Sequence, residues 1–248
     1  MKRDAIHRRN QELRNATPQE ILAWAARQFE GTLAVSSSFQ PLSVPLLHMV
    51  SGIAPKTPVI FLDTGFHFPE TLAYRDRLVS DLRLNLRIAR AKEPTDPSDL
   101  ASRTDLYKRD PDRCCYLNKV EPMAEAMREF DAWVSGIRRD QASTRTTAEV
   151  VEEGAGVVRI HPLANWTARD LFQYMHDHNL PDHPLFERGY ISVGCAPCTR
   201  PPRAGEGERA GRWAGSEKTE CGLHTILRPG SRVASKADAD PSDGLEKA

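Results

Sequence analysis

The sequence predicts an α/β fold, a mostly parallel sheet with helices on both faces. Three observations predict it. Short apolar runs alternate with segments of helical period. Several of those runs end in polar loops, and no internal repeat interrupts the alternation. In folds of this kind ligands bind beyond the carboxyl ends of the strands. The loops "SSSFQP", "LDTGFH" and "GIRRDQ" stand at such ends, so a small-molecule site is expected where the three meet.

Each element follows from local signals. "NATPQEILAWAARQF" opens the first expected helix. Thr17 caps it, Pro18 suits its first position and Glu20 completes a capping box. "GTLAVSSS" reads as a buried strand. "PLSVPLLHMV" is a helix that begins at Pro41 and stops before Gly52. "TPVIFLDTG" is the next strand, and "FPETLAYRDRLVSDL" is a helix with Pro69 in its first turn. "LNLRIAR", "DAWVSGI" and "GVVRIHPL" read as three further strands. "YLNKVEPMAEAM" and "WTARDLFQYMHDHN" read as helices. The stretch "TRPPRAGEGERAGRWAGSEKTECGLH" is rich in turn residues and has little periodicity, so it is expected to form a flexible C-terminal arm. From Pro229 the small and charged residues have almost nothing to bury, which predicts disorder. The expected organisation is a nucleotide-binding body over 1–204, a mobile arm over 205–228 and a disordered tail over 229–248.

With 248 residues, 40% of them hydrophobic, the chain is long enough for a sizeable core. Its 34 basic and 34 acidic residues cancel, so no global field draws it to nucleic acid or a membrane. Any anion site must be a local cluster of arginines and lysines. The N-terminal "MKRDAIHRRNQELRN" lacks the apolar stretch of a signal peptide, and a cytoplasmic protein is expected. Structural disulfides are disfavoured there. The oligomeric state is not set, and a homo-oligomer is compatible with the sequence.

Five cysteines carry the chemistry. Cys114 and Cys115 are adjacent, and a disulfide between neighbours closes a strained ring. Cys195 and Cys198 form "CAPC", a spacing shared by zinc sites, iron–sulfur clusters and redox dithiols. Together the four offer four thiolates. One tetrahedral zinc is reached awkwardly by adjacent side chains, whereas a 4Fe–4S cubane presents a separate iron corner to each. Zinc in a non-enzymatic nucleotide sensor remains the alternative. Lys119 lies one helical turn beyond Cys115 and reads equally as a charge partner or a solvated lysine. Cys221, outside the set of four, fits a nucleophile as well as a free surface thiol. Arg209 and Arg212 on the arm are spaced to clamp a sulfate or phosphate, or form an ordinary basic loop. His67 reads as a loop residue.

In this order, "SSSFQP", "LDTG", "KRDPDRCC", "GIRRDQ", "GCAPCTR", "RAGRW" and "ECGLH" resemble the iron–sulfur branch of the assimilatory adenylylsulfate (APS) reductase family. The resemblance spans about Ser36 to His224. It implies an adenine-nucleotide α-hydrolase-like fold and reduction of APS to sulfite and AMP in sulfate assimilation. It implies thioredoxin or a glutaredoxin-like protein as electron donor. It assigns one 4Fe–4S cluster per subunit to Cys114, Cys115, Cys195 and Cys198, and makes Cys221 the residue that attacks sulfur and carries an S-sulfo intermediate. It places Ser36, Ser37, Ser38, Asp63, Lys119, Arg138, Arg139, Arg209, Arg212 and His224 around the substrate. Two rivals stand nearby. Reductases of 3′-phosphoadenylylsulfate (PAPS) keep the "ECGLH" cysteine without the other four. Pyrophosphate-loop ATPases that modify tRNA need a glycine-rich "SGGxDS" turn, which Ser36–Gln40 does not provide.

Overall fold

The computed structural model describes residues 3–93, 103–154 and 156–223. His224 and the tail expected to be disordered lie outside the described residues. Helix α1 (Arg3–Glu12) precedes α2 (Pro18–Gln28), whose Thr17–Glu20 capping box forms as expected. Strand β1 (Leu33–Ser36) leads through a turn at Pro41–Ser43 into α3 (Val44–Ile53). Then come β2 (Pro58–Asp63), α4 (Pro69–Asp81) and β3 (Asn85–Arg90). Short helices α5 (Leu106–Arg109) and α6 (Pro111–Cys115) run into a widened π turn at Tyr116–Val120 and then α7 (Glu121–Ala126). The chain closes with β4 (Ala132–Val134), β5 (Val151–Glu153), β6 (Val158–Ile160) and α8 (Ala168–Asp177).

The six strands form one sheet in the order β3-β2-β1-β4-β6-β5, parallel except for β5, which runs antiparallel to β6. The period of two along each strand sorts its side chains between two cores. Leu33, Val35, Val59, Phe61, Ala132 and Val134 face the core shared with α1, α2, α3 and α8. Ala34, Ile60 and Trp133 face the other way, against Met123, Met127 and Phe130. Leu223, at the end of the described arm, packs on this second core.

Four elements were not expected: α1, β5 and the short helices α5 and α6, of four and five residues. Strand β5 is three residues long and only its first residue is buried, so it has no pattern to read. Helix α1 buries a single residue, Ile6. Asn10 fastens the two together, donating to the Val151 carbonyl and accepting from the Val151 amide, both at 2.8 Å. That covers a sheet edge. No helix among the described residues is long and apolar enough to cross a membrane.

Candidate active site

Strands β1 and β4 are parallel neighbours whose chains depart to opposite sides of the sheet. A crevice opens where two such loops diverge. Here it becomes a cavity of about 160 Å³, lined by the loop after β1, the loop after β4 and the arm. The β1 loop is held in a tight shape. Phe39 adopts the left-handed conformation at φ 51°, a costly one for a bulky residue. Its ring is fully buried edge-on against Phe61, 5.6 Å between centroids, and its amide donates to Ser37 Oγ at 3.1 Å. Trp133 of β4 donates its indole N–H to Ser36 Oγ at 2.8 Å. Packing thus presents Ser36, Ser37 and Ser38 to the cavity.

Beside this cavity is a narrow cleft lined by Cys114, Cys115, Cys195 and Cys198. Two segments build it. On the first, Pro122 has no amide proton and crowds the carbonyl four residues back, so the helix cannot continue as a regular α turn. It widens instead, and the Glu121 amide donates to the Tyr116 carbonyl. Cys114, Cys115, Asn118 and Lys119 all line the cleft from this stretch, and Asn118 donates to the Cys114 carbonyl at 2.9 Å. On the second segment, Cys195 bridges His67 backbone to backbone, and the Ala196 amide donates to the Phe66 carbonyl at 2.7 Å. Thr64 Oγ1 lies 3.3 Å from Cys195 Sγ.

Burial pushes the Cys114 thiol up to about 11, with Cys115 adding to the shift. Burial also raises Cys115 and Cys198. Cys195 is buried too, but Lys119, the Thr64 hydroxyl and Arg212 outweigh that and draw its thiol down. Four half-excluded thiols facing one cleft are unfavourable as free thiolates and well suited to a cationic centre, which deprotonates its ligands. The donor set therefore fits an iron–sulfur cluster. The four thiols line the cleft from two segments, and among the described residues no group of three closes on a single-ion position.

Lys119, Cys195 and Trp213 line both the cleft and the cavity. Burial disfavours the Lys119 ammonium, yet Cys195, Cys221 and Cys115 around it raise its pKa on balance. Cys221 lines the cavity from the arm, and so do Arg209 and Arg212. Gly194 makes room for Arg212: a Cβ there would sit 2.1 Å from the guanidinium. Arg212 Nη1 donates to the Val193 carbonyl at 3.2 Å.

The structure brings most of the expected residues together, but four differ in role or place. Arg139 does not face the cavity. It donates to the Ala148 carbonyl at 2.6 Å and to Asn165, and lines a broad groove of about 780 Å³ between α1 and β5. That groove is larger but holds no thiol, so its size does not make it the site. The turn at Arg139–Gln141 rotates successive side chains apart, which separates the two arginines of "GIRRDQ". Arg138 does line the cavity but is buried in ion pairs with Asp140 and Glu208, both at 2.8 Å. Asp63 pairs with Arg90 at 2.8 Å outside the cavity lining, where Leu62 and His67 represent its loop. Arg209 shares the Glu220 carboxylate at 3.2 Å, and burial lowers its pKa to about 10.

Sequence reasoning missed Arg145 and Glu220. Arg145 lines the cavity and grips Glu220 with two bonds of 2.8 Å each. The cue for Glu220 was its place next to Cys221. Arg145 had no cue, because "STR" reads as an ordinary polar turn.

Residues 32–201 match the phosphoadenosine phosphosulfate reductase domain. The chain belongs to that family. An adenosine 5′-phosphosulfate reductase of Streptomyces coelicolor is 43% identical over 219 residues, covering 88% of this chain and 92% of the relative. Among solved structures, a phosphoadenylyl-sulfate reductase from Candida auris in a phosphate complex superposes on this reductase-family chain with a TM-score of 0.69. It is 29% identical and covers 79% of this chain and 96% of its own. A Candida glabrata FMN adenylyltransferase bound to FMN and an ATP analogue shares the fold alone, at a TM-score of 0.54 and 18% identity over 81% of this chain and 68% of its own. The family member's sheet is thus of the adenine-nucleotide α-hydrolase-like kind.

Proposed function

We propose that this chain is a thioredoxin-dependent APS reductase that forms sulfite and AMP in sulfate assimilation. One observation carries the reading. Cys221 lines the same cavity as the Ser36–Ser38 turn, Lys119, Arg209 and Arg212. The nucleotide phosphate is assigned to the serine turn and the sulfate to the cations, with His224 close by in sequence.

The chemistry follows from those groups. The Cys221 thiolate attacks the sulfur of APS. A bond forms from Sγ to that sulfur, and the bond from sulfur to the bridging phosphate oxygen breaks. AMP leaves with the electron pair. A thiolate approaching a dianion needs fixed positive charge where negative charge builds up, which Lys119, Arg209 and Arg212 supply. The arm then presents S-sulfo-Cys221 to a donor dithiol of the thioredoxin or glutaredoxin kind. A donor thiolate attacks Cys221 Sγ, and sulfite departs with the pair from the S–S bond. The second donor thiol resolves the mixed disulfide, so both electrons come from the donor. Such a two-place task requires a segment that moves. The assignment is therefore a body to residue 204, a mobile arm over 205–228 and a separate tail, in a cytoplasmic enzyme. Cys114, Cys115, Cys195 and Cys198 would hold one 4Fe–4S cluster per subunit. When bound, it supplies fixed charge beside the cavity and ties the two cysteine segments together.

The test is incubation with APS and no donor, followed by intact-mass analysis. Wild-type protein gains one sulfonate and Cys221→Ser gains none. Sulfonate on another cysteine, or none on wild type, overturns the reading. PAPS is the second candidate substrate, because the Candida auris neighbour is named for it. A comparison of kcat/KM for the two substrates is expected to favour APS.

A further inference from the structure

The arm carries a carboxylate directly beside the nucleophile, and its partners are cations of the cavity wall. Arg145 follows the β4 loop on the short turn Ser143–Arg145. Its Nε and Nη2 donate to the two Glu220 oxygens, each at 2.8 Å. Thr144 Oγ1 donates to the same group at 3.1 Å, and Arg209 Nη2 at 3.2 Å. Arg145 and Glu220 are only 11% and 10% exposed. Arg145 also donates to Gln141, whose amide lies 3.4 Å from Glu208, the partner of Arg138. One network therefore binds the arm to the β4 loop on both sides of Arg209.

A carboxylate here works against substrate capture. The cavity has to attract a dianion, and Glu220 occupies two of its arginines. What Glu220 contributes must therefore be placement, and a bidentate pair fixes direction as well as distance.

We propose that Glu220 is the positioning residue for Cys221. Its clasp with Arg145 holds the thiol in the cavity during attack, and the bulkier sulfonate, once carried on Cys221, loosens that clasp. The proposal rests on the reading of Cys221 as nucleophile. The sulfonate keeps the single negative charge of the attacking thiolate but carries it on three oxygens, which reach beyond Sγ and accept hydrogen bonds. The sulfonate and Glu220 then compete for Arg145 and Arg209 as like charges, which repel. Reaction thus favours opening without any separate signal.

The test uses full-length protein with Glu220→Gln, which keeps size and removes charge, and Glu220→Asp, which keeps charge and shortens reach. Without substrate, alkylation of Cys221 by iodoacetamide, located by peptide mass, is expected to rise about tenfold in Glu220→Gln, the effect of losing one charge-assisted pair. At saturating APS without donor, its sulfonation rate is expected to fall about tenfold, while the AMP dissociation constant holds or tightens. Glu220→Asp should lie between wild type and Glu220→Gln on both rates. Unchanged alkylation and sulfonation in Glu220→Gln would overturn the proposal. So would a matching loss of AMP affinity, which would make Glu220 a prop of the pocket. If wild type itself fails to react with APS, the functional reading falls while the alkylation comparison still judges the clasp.

Discussion

Cys195 and Cys221 approach the same lysine from two segments that are anchored in different ways. The Cys195 segment is stitched into the body by backbone. Cys195 bridges His67 and the Ala196 amide donates to the Phe66 carbonyl at 2.7 Å, while Thr199 and Cys198 bond backbone to backbone with Arg212 and Trp213 and so tie the near part of the arm to this segment. The Cys221 segment is held by charge, through Glu220 on Arg145 and Lys218 on Asp112. Backbone bonds in a packed body hold a geometry that does not change. Partly buried ion pairs hold one that a competing anionic group can release. The difference matches the two tasks assigned to the thiols, since ligands must stay and a nucleophile that serves two partners must leave.

Replacing either cysteine is the strongest way to break this comparison. Cys195→Ser is expected to lose iron and acid-labile sulfide, measured on anaerobically purified protein, from roughly four of each per chain. Cys221→Ser is expected to keep both and lose all sulfite formation. Loss of iron from Cys221→Ser would show that the two segments are not independent.

Acid tests the anchored side. His183, on the connection that runs toward Cys195, accepts from the Leu185 amide at Nδ1, 3.1 Å away, and lies 3.1 Å from Thr71 Oγ1 at Nε2. Nε2 therefore carries the single proton. Burial, against a smaller opposing effect of Glu70, lowers its pKa from 6.5 to about 4. The unfolded chain takes up a proton as the pH falls below 6.5, and the folded one only near 4. Stability is thus full above that window and declines through it as the pH falls, by on the order of 3 kcal/mol. Urea unfolding at several pH values measures this, and His183→Asn should flatten the curve.

A smaller effect is expected from Gly211→Ala. A Cβ there would sit 1.9 Å from the Arg200 carbonyl oxygen, so backbone must shift where Arg212 is set. A loss of roughly 1–3 kcal/mol is expected in thermal unfolding, together with weaker AMP binding.

Salt sharpens the comparison most gently. Raising it to about 1 M shortens the screening length to about 3 Å. Cys221 alkylation is expected to rise about twofold to threefold, a modest gain because the pairs are partly buried. Hydrogen exchange at Ala196 is expected to hold steady. An equal response at both segments would remove the distinction.

Much of the body was legible because its signals are local. The Thr17 capping box, the prolines that open helices and the apolar runs of β1, β2 and β4 each depend on a few neighbouring residues. β5 was not legible, because a three-residue edge strand is defined by its partner. The five cysteines stood out by type and spacing, with a lysine one turn beyond the adjacent pair. Their sharing of a wall at Lys119, and the burial of Arg138 away from Arg139, depend on how loops 70 or more residues apart come together.

By itself, then, the sequence determined which groups were available: four thiols in two close pairs, a fifth apart from them, and cations enough for a dianion. Only the tertiary structure decided which cations face the cavity and what restrains the fifth thiol. Arginines look alike in a sequence, and their roles are set by the carboxylates they meet. Arg139 was lost to the site, Arg138 became a buried support for the arm, and Arg145 became the clasp on Glu220.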